Sequence, residues 1–170
     1  HENNMESDSL GNGISFGDFD NDGQNEVWSG TMRGHDDLFT LVDGDWTENY
    51  SPVFLSSSQD IVAGDINNDG WLDIFAPGLN MGNNGTPAGP KFTSLLYKNT
   101  TLEETGNANH WLVIYLEGSK SSSGNGNYST QSNRSAIGAR VTVDAGGNRY
   151  MREMIAGKGH GSMDALQLHF

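Results

Sequence analysis

Short apolar runs alternate with polar, glycine-rich stretches along the chain, and no segment sustains the 3.6-residue period of an amphipathic helix. Residues 13–17, 27–29 and 38–42 read as strands, and Asp43-Gly44 is a strong hairpin turn signal after the third. The order then repeats, with 61–63, 74–76 and 95–97 taking the same places. Between the last two lies 77–90, rich in Gly, Asn and Pro, which reads as a surface loop. After about residue 106 the character changes. Residues 111–116 form a solid strand candidate, and 119–132 are a low-complexity Gly/Ser/Asn tract expected to be exposed. Residues 139–144 and 149–155 alternate around a turn at 145–148, as in a hairpin with one wet face. Residues 165–170 supply a last strand.

The pattern predicts an all-β protein with little helix. It divides into an extended or flexible arm (1–12), two propeller-blade-like repeats (about 13–58 and 59–105) and a small antiparallel sandwich or sheet domain (106–170).

The polar segments between the first strands of each repeat carry the candidate chemistry. They read Asp18-Phe-Asp-Asn-Asp-Gly-Gln-Asn-Glu26 and Asp65-Ile-Asn-Asn-Asp-Gly-Trp-Leu-Asp73. Oxygen side chains fall at positions 1, 3, 5 and 9 and glycine at 6, which suits a hard cation with six to eight oxygen ligands. The candidate ligands are Asp18, Asp20, Asp22 and Glu26 in one loop and Asp65, Asn67, Asp69 and Asp73 in the other. Gln24 and Trp71 at position 7 would give their backbone carbonyls. Asn-Asp-Gly favours a turn with or without metal, but two copies in register favour two Ca²⁺ sites. Mg²⁺ prefers to keep waters and is less suited to such a cage. An EF-hand is rejected, because its twelfth loop position falls on Ser29 and Ala76 and the flanks are β-type.

The strings Ile14-Ser-Phe-Gly-Asp-Phe-Asp-Asn-Asp-Gly23 and Ile61-Val-Ala-Gly-Asp-Ile-Asn-Asn-Asp-Gly70 resemble the FG-GAP/VCBS-type repeats of secreted and cell-surface β-propellers. That resemblance implies Ca²⁺ held within each blade by the residues just named, with altered geometry expected where Glu26 replaces the usual Asp. Asn109-His-Trp-Leu112, Ser132-Asn-Arg-Ser-Ala-Ile-Gly-Ala-Arg-Val141, Ala145-Gly-Gly147, Arg152-Glu153 and Leu166-Gln-Leu-His-Phe170 resemble an ASPIC/UnbV domain. The resemblance implies no catalytic activity. Two blades cannot close a propeller of four to eight, and the second resemblance stops short of the family's usual Gly-Leu-Gly. The expectation is therefore a fragment, or repeats that pack on the C-terminal domain or on another copy.

Nine Lys and Arg against 22 Asp and Glu give a formal charge of −13, which argues against nucleic acid or an anionic membrane as partner. There is no cysteine, and no apolar run approaches the roughly 20 residues of a membrane helix. Asn49, Asn84, Asn99, Asn127 and Asn133 open N-x-[ST] sequons in predicted turns or loops, and are candidate glycosylation sites. Proline directly follows the Asn49 and Asn84 sequons, which weakens both.

The five histidines (His1, His35, His110, His160, His169) show no metal spacing; His110 reads as structural, and only a true mature terminus at His1 would suit a copper brace. Residues 157–161 are no phosphate loop, lacking the Ser/Thr and the helix that a P-loop needs. Liganded carboxylates are poor general acids, so glycosidase chemistry is not expected. Trp46, near the 43–45 turn, is the expected exposed platform for stacking a sugar, whereas Trp111 in its apolar run is expected in the core.

The reading that results is a secreted or cell-surface, Ca²⁺-stabilised structural or adhesive protein, not an enzyme. Its partners are expected to be further copies, joined by strand addition into oligomers or filaments, with a carbohydrate-binding or accessory module of a secreted enzyme as the alternative.

Overall fold

A computed structural model describes residues 11–31, 36–49, 60–77, 94–101, 109–118 and 132–170. Among them the elements are strands, apart from a helical Thr101, and all strand pairings are antiparallel. The chain forms two compact units: His1–His110 with Gly157–Ala165, and Trp111–Ala156 with Leu166–Phe170.

In the first unit, β1 (Gly11–Gly17), β2 (Glu26–Thr31), β3 (Asp37–Val42) and β4 (Asp45–Asn49) form a meander in chain order. β5 (Val62–Gly64), β6 (Asp73–Ala76) and β7 (Leu95–Tyr97) form the second sheet. The register makes the repeat visible. Trp28 faces Ser15 on one side and Leu38 on the other, and Phe75 lies between Val62 and Leu96 in the same manner. Alternation then sends the opposite faces apart. Ala63, Ile74 and Ala76 point into a buried cluster with Ile61, Leu72 and Phe19, against which Trp28, Leu38 and Tyr97 pack. Trp28 joins the two sheets through Phe19, 6.1 Å away edge-on, and Tyr97, 5.9 Å away. Burying each large side chain of this cluster contributes about 1.5–3 kcal/mol.

The predicted hairpin at Asp43-Gly44 is present, with both residues left-handed (φ 54° and 88°) as a two-residue turn between twisted strands requires. Residues 157–165, assigned by sequence to the C-terminal domain, instead belong to the first unit. They form a strap across β1 and β5. Asp164 accepts hydrogen bonds from Ser15 Oγ and the Ala63 amide and pairs with Lys158 at 2.5 Å, while Lys158 also donates to the Phe16 carbonyl. Asp60 accepts from the Gly161 amide and Ser162 Oγ. The approach is close enough to demand glycine at Gly13, where a Cβ would stand 2.4 Å from the Asp60 Cα.

In the second unit, β9 (Arg140–Ala145) and β10 (Asn148–Glu153) make the predicted hairpin, turning through Gly146 and Gly147 at positive φ. The terminal strand is shorter than expected. β11 (Leu168–His169) pairs with β8 (Val113–Ile114), and Phe170 and Leu112 exchange amide and carbonyl bonds beyond it. On its other side Arg152 Nε donates to the His169 carbonyl. The terminal segment therefore spends these backbone groups inside its own unit. Trp111, expected in the core, is 45% exposed, because the apolar run forms only two residues of strand.

Candidate metal centre

The two Asp loops fold by the same hydrogen bonds, position for position. The first carboxylate receives the amides of positions 5 and 6: Asp22 and Gly23 donate to Asp18 at 2.9 Å, Asp69 and Gly70 to Asp65 at 3.1 and 3.0 Å. The third side chain, Asp20 or Asn67, accepts the amide of position 5 at 3.1 Å. The fifth, Asp22 or Asp69, accepts the amide of position 7, from Gln24 at 2.7 Å and Trp71 at 3.0 Å. The ninth accepts the amide of position 2: Phe19 to Glu26 at 2.7 Å, Ile66 to Asp73 at 3.1 Å. The longer Glu26 thus makes the same bond as Asp73. Each loop curls because position 4 (Asn21, Asn68; φ 55° and 58°) and position 6 (Gly23, Gly70; φ 94° and 84°) are left-handed, a conformation Asn tolerates and Gly adopts freely.

This curl gathers the acids. Ligand oxygens of Asp18, Asp20 and Asp22 lie within 4.8 Å of one another. Glu26 is buried beside them, and its carboxyl is pushed up to about 8, first by loss of water and then by the charges of Asp20, Asp18 and Asp22, against the pull of the Phe19 amide. Asp20 is raised too, by burial and by Asp22. An all-oxygen set with crowded negative charge fits a hard divalent cation, and Asp18, Asp20 and Asp22 are the side chains that would hold it. The second loop has Asn67 in place of one acid, so its cluster carries less charge. At position 7, Gln24 is exposed and Trp71 is fully buried.

The charge crowding has a measurable consequence in the metal-free protein. An unfolded Glu titrates near 4.5 while folded Glu26 holds its proton to about 8. The folded chain therefore binds the extra proton between these values, and stability falls as pH rises through that window. Urea unfolding in EGTA at pH 5 and pH 8 should show a decline that Glu26→Gln reduces; equal slopes in the two proteins would refute the assignment.

Sequence reasoning named Asn99 only as a sequon and missed that it ties both loops together. Its Nδ2 donates to the carbonyls of Phe19 (2.7 Å) and Leu72 (3.2 Å), its amide donates to Asp73, and its Oδ1 accepts from Thr101. The sequon at Asn99 is therefore spent on structure. Asn99→Ala should cost about 1–3 kcal/mol by leaving those carbonyls unmatched, read from urea midpoints, and mass spectrometry should find no glycan on Asn99. Asn21 was also missed. Its Nδ2 donates to the Gly70 carbonyl at 3.0 Å, keying the first loop to the second. Its recurrence at Asn68 was the available signal; Asn99 offered none, since its partners lie up to 80 residues away in sequence.

Of the other candidates, Asn133 is engaged with both the amide and the carbonyl of Ile137. Asn49 ends β4, but its side chain lies outside the described residues, as do Asn84 and Asn127. His1 and His35 also lie outside them, His110 and His160 are exposed, and His169 is buried in β11. Trp46 is half-buried within β4 rather than an open platform. Among the described residues, no helix is long and apolar enough to cross a membrane.

A comparison with curated proteins finds no match. Family comparison agrees with the geometry: residues 18–76, spanning both loops, match the FG-GAP-like repeat, and residues 129–170 match ASPIC and UnbV. Residues 18–76 are thus similar to the FG-GAP-like repeat and residues 129–170 to the ASPIC/UnbV domain.

Proposed function

We propose that this chain is an extracellular structural or adhesive protein whose repeats are rigidified by two Ca²⁺ ions, which associates with further copies of itself and catalyses no reaction. The observation that carries this reading is the duplicated loop: two nine-residue segments with the same hydrogen bonds, one gathering three carboxylates within 4.8 Å. Such a loop is folding support, because its side chains are committed to holding backbone and cation in place. An extracellular address follows from the oxygen-ligand loops, which fill where calcium is abundant. Calorimetric titration of the metal-stripped chain with CaCl₂ should give two sites, reduced to one by Asp18→Asn or by Asp65→Asn. No binding at millimolar calcium would reject the reading.

A carbohydrate-binding role is favoured by one observation. A cleft of about 400 Å³ within the first unit is walled by Phe19, Trp28, Leu72 and Tyr97, with Asp20 and Thr40 among its polar lining. Aromatic walls with a few polar groups suit a sugar ring. Glycan-array binding that Trp28→Ala abolishes would move the assignment to this class, and an array without binding would dismiss it.

A further inference from the structure

The repeat equivalence leaves one seat unfilled among the described residues. In the first repeat Phe19, Trp28, Leu38 and Asn21 receive the second repeat, Asn21 by its bond to the Gly70 carbonyl. The equivalent residues of the second repeat are Ile66, Phe75, Leu96 and Asn68. They keep the same chemistry, yet Ile66, Phe75 and Leu96 are 54%, 40% and 59% exposed and Asn68 is also exposed. Phe75 and Leu96 are cross-strand neighbours, and large apolar side chains exposed together in this way mark an interaction site.

We infer that this face is the docking site for the second unit of another copy of the chain, so that copies join head to tail. This rests on the self-association proposed above and names its surfaces. The repeats of another copy do not suit the seat, because the faces that could plug it are buried already: Ile74, Val27 and Phe39 are at most 3% exposed. Charge also separates the two units. By sequence the first carries 4 Lys/Arg and 19 Asp/Glu, a formal −15, and the second 5 against 3, a formal +2. Repeats repel repeats, while the second unit is complementary to them. One face of its hairpin offers Met151 (53% exposed), with Ile155 (49%) just beyond, beside Arg140 and Arg149. These arginines pair with Glu153 and Asp144 on the same face, so the plug is locally neutral within a basic unit. A contact between two different patches is heterologous, and it grows into a ring or filament.

The test uses the full chain in 2 mM CaCl₂, measured by sedimentation velocity from about 10 to 200 μM. Wild type should form a concentration-dependent series, shortened in 0.5 M NaCl as screening weakens the charge term. Leu96→Asp removes the seat and Met151→Asp removes the plug. Each should weaken association at least about 10-fold and remain monomeric, with melting temperatures within about 2 °C of wild type since both sites are exposed. Mixed together, they should give a 1:1 dimer that grows no further, because one intact seat meets one intact plug. A wild type that stays monomeric overturns both self-association and this assignment. Assembly that persists in both variants preserves self-association and overturns the assignment. Two monomeric variants whose mixture forms no dimer show a symmetric contact and overturn the head-to-tail arrangement, and indifference to salt removes the charge argument.

Discussion

Chelation with EGTA is expected to lower the melting temperature of the repeat unit by roughly 10–20 °C. A ligand that binds only the folded state adds about 2.7 kcal/mol at one hundred times its dissociation constant. Two such sites add about twice that, and one kcal/mol moves the melting temperature of a chain this size by about 2–4 °C. The loops explain why the effect should be large. Asp18, Asp20 and Asp22 converge within 4.8 Å, and Glu26 is driven to hold a proton beside them. Removing the cation leaves that repulsion uncompensated. The first loop should matter more than the second, where Asn67 replaces one acid, so Asp18→Asn should cost more of the calcium-dependent increment than Asp65→Asn. Differential scanning calorimetry with and without EGTA checks this, and a melting temperature that does not move would end the structural-calcium account.

The second large effect should come from a residue far from either loop in sequence. Asp164→Ala is expected to destabilise the first unit by about 3–5 kcal/mol, the cost of breaking a largely buried pair from one side. Lys158 would lose its partner where the side chain is only 20% exposed, and the fully buried Ser15 hydroxyl and the Ala63 amide would lose their acceptor. Asp144→Ala is the control. It removes an ion pair with Arg149 at 2.7 Å, but both side chains are mostly exposed, so solvent screening should leave stability almost unchanged. Urea unfolding should separate the two variants clearly. Similar midpoints would show that the strap is an ornament of the fold and not a clasp between β1 and β5.

How the two repeats hold together without a ring was not legible from the sequence. Residues 157–161 read as a glycine-rich loop within the C-terminal domain. The strap depends on contacts between residues about 100 positions apart, such as Gly161 with Asp60, and no local pattern encodes those. The same limit hid Asn99. Read locally only as a sequon, Asn99 carries the amide that fastens Phe19 and Leu72 together. The Trp111 segment failed for a different reason. Six consecutive apolar residues fit either a buried strand or a partly exposed one, and periodicity does not separate the two.

The sequence alone determined the all-β class, the hairpins at Asp43-Gly44 and Gly146-Gly147, and the two loops with their oxygen ligands in register. These are short-range matters, set by alternation, by residues that accept positive φ, and by side chains that bond amides two to seven positions away. Tertiary structure alone decided which unit owns the strap, why Asn21 is buried against Gly70 while Asn68 faces water, and which apolar row is covered. Two loops of the same design differ in burial because, among the described residues, one has a neighbour on that face and the other does not. Burial belongs to the pair in contact, and a sequence read one segment at a time does not contain it.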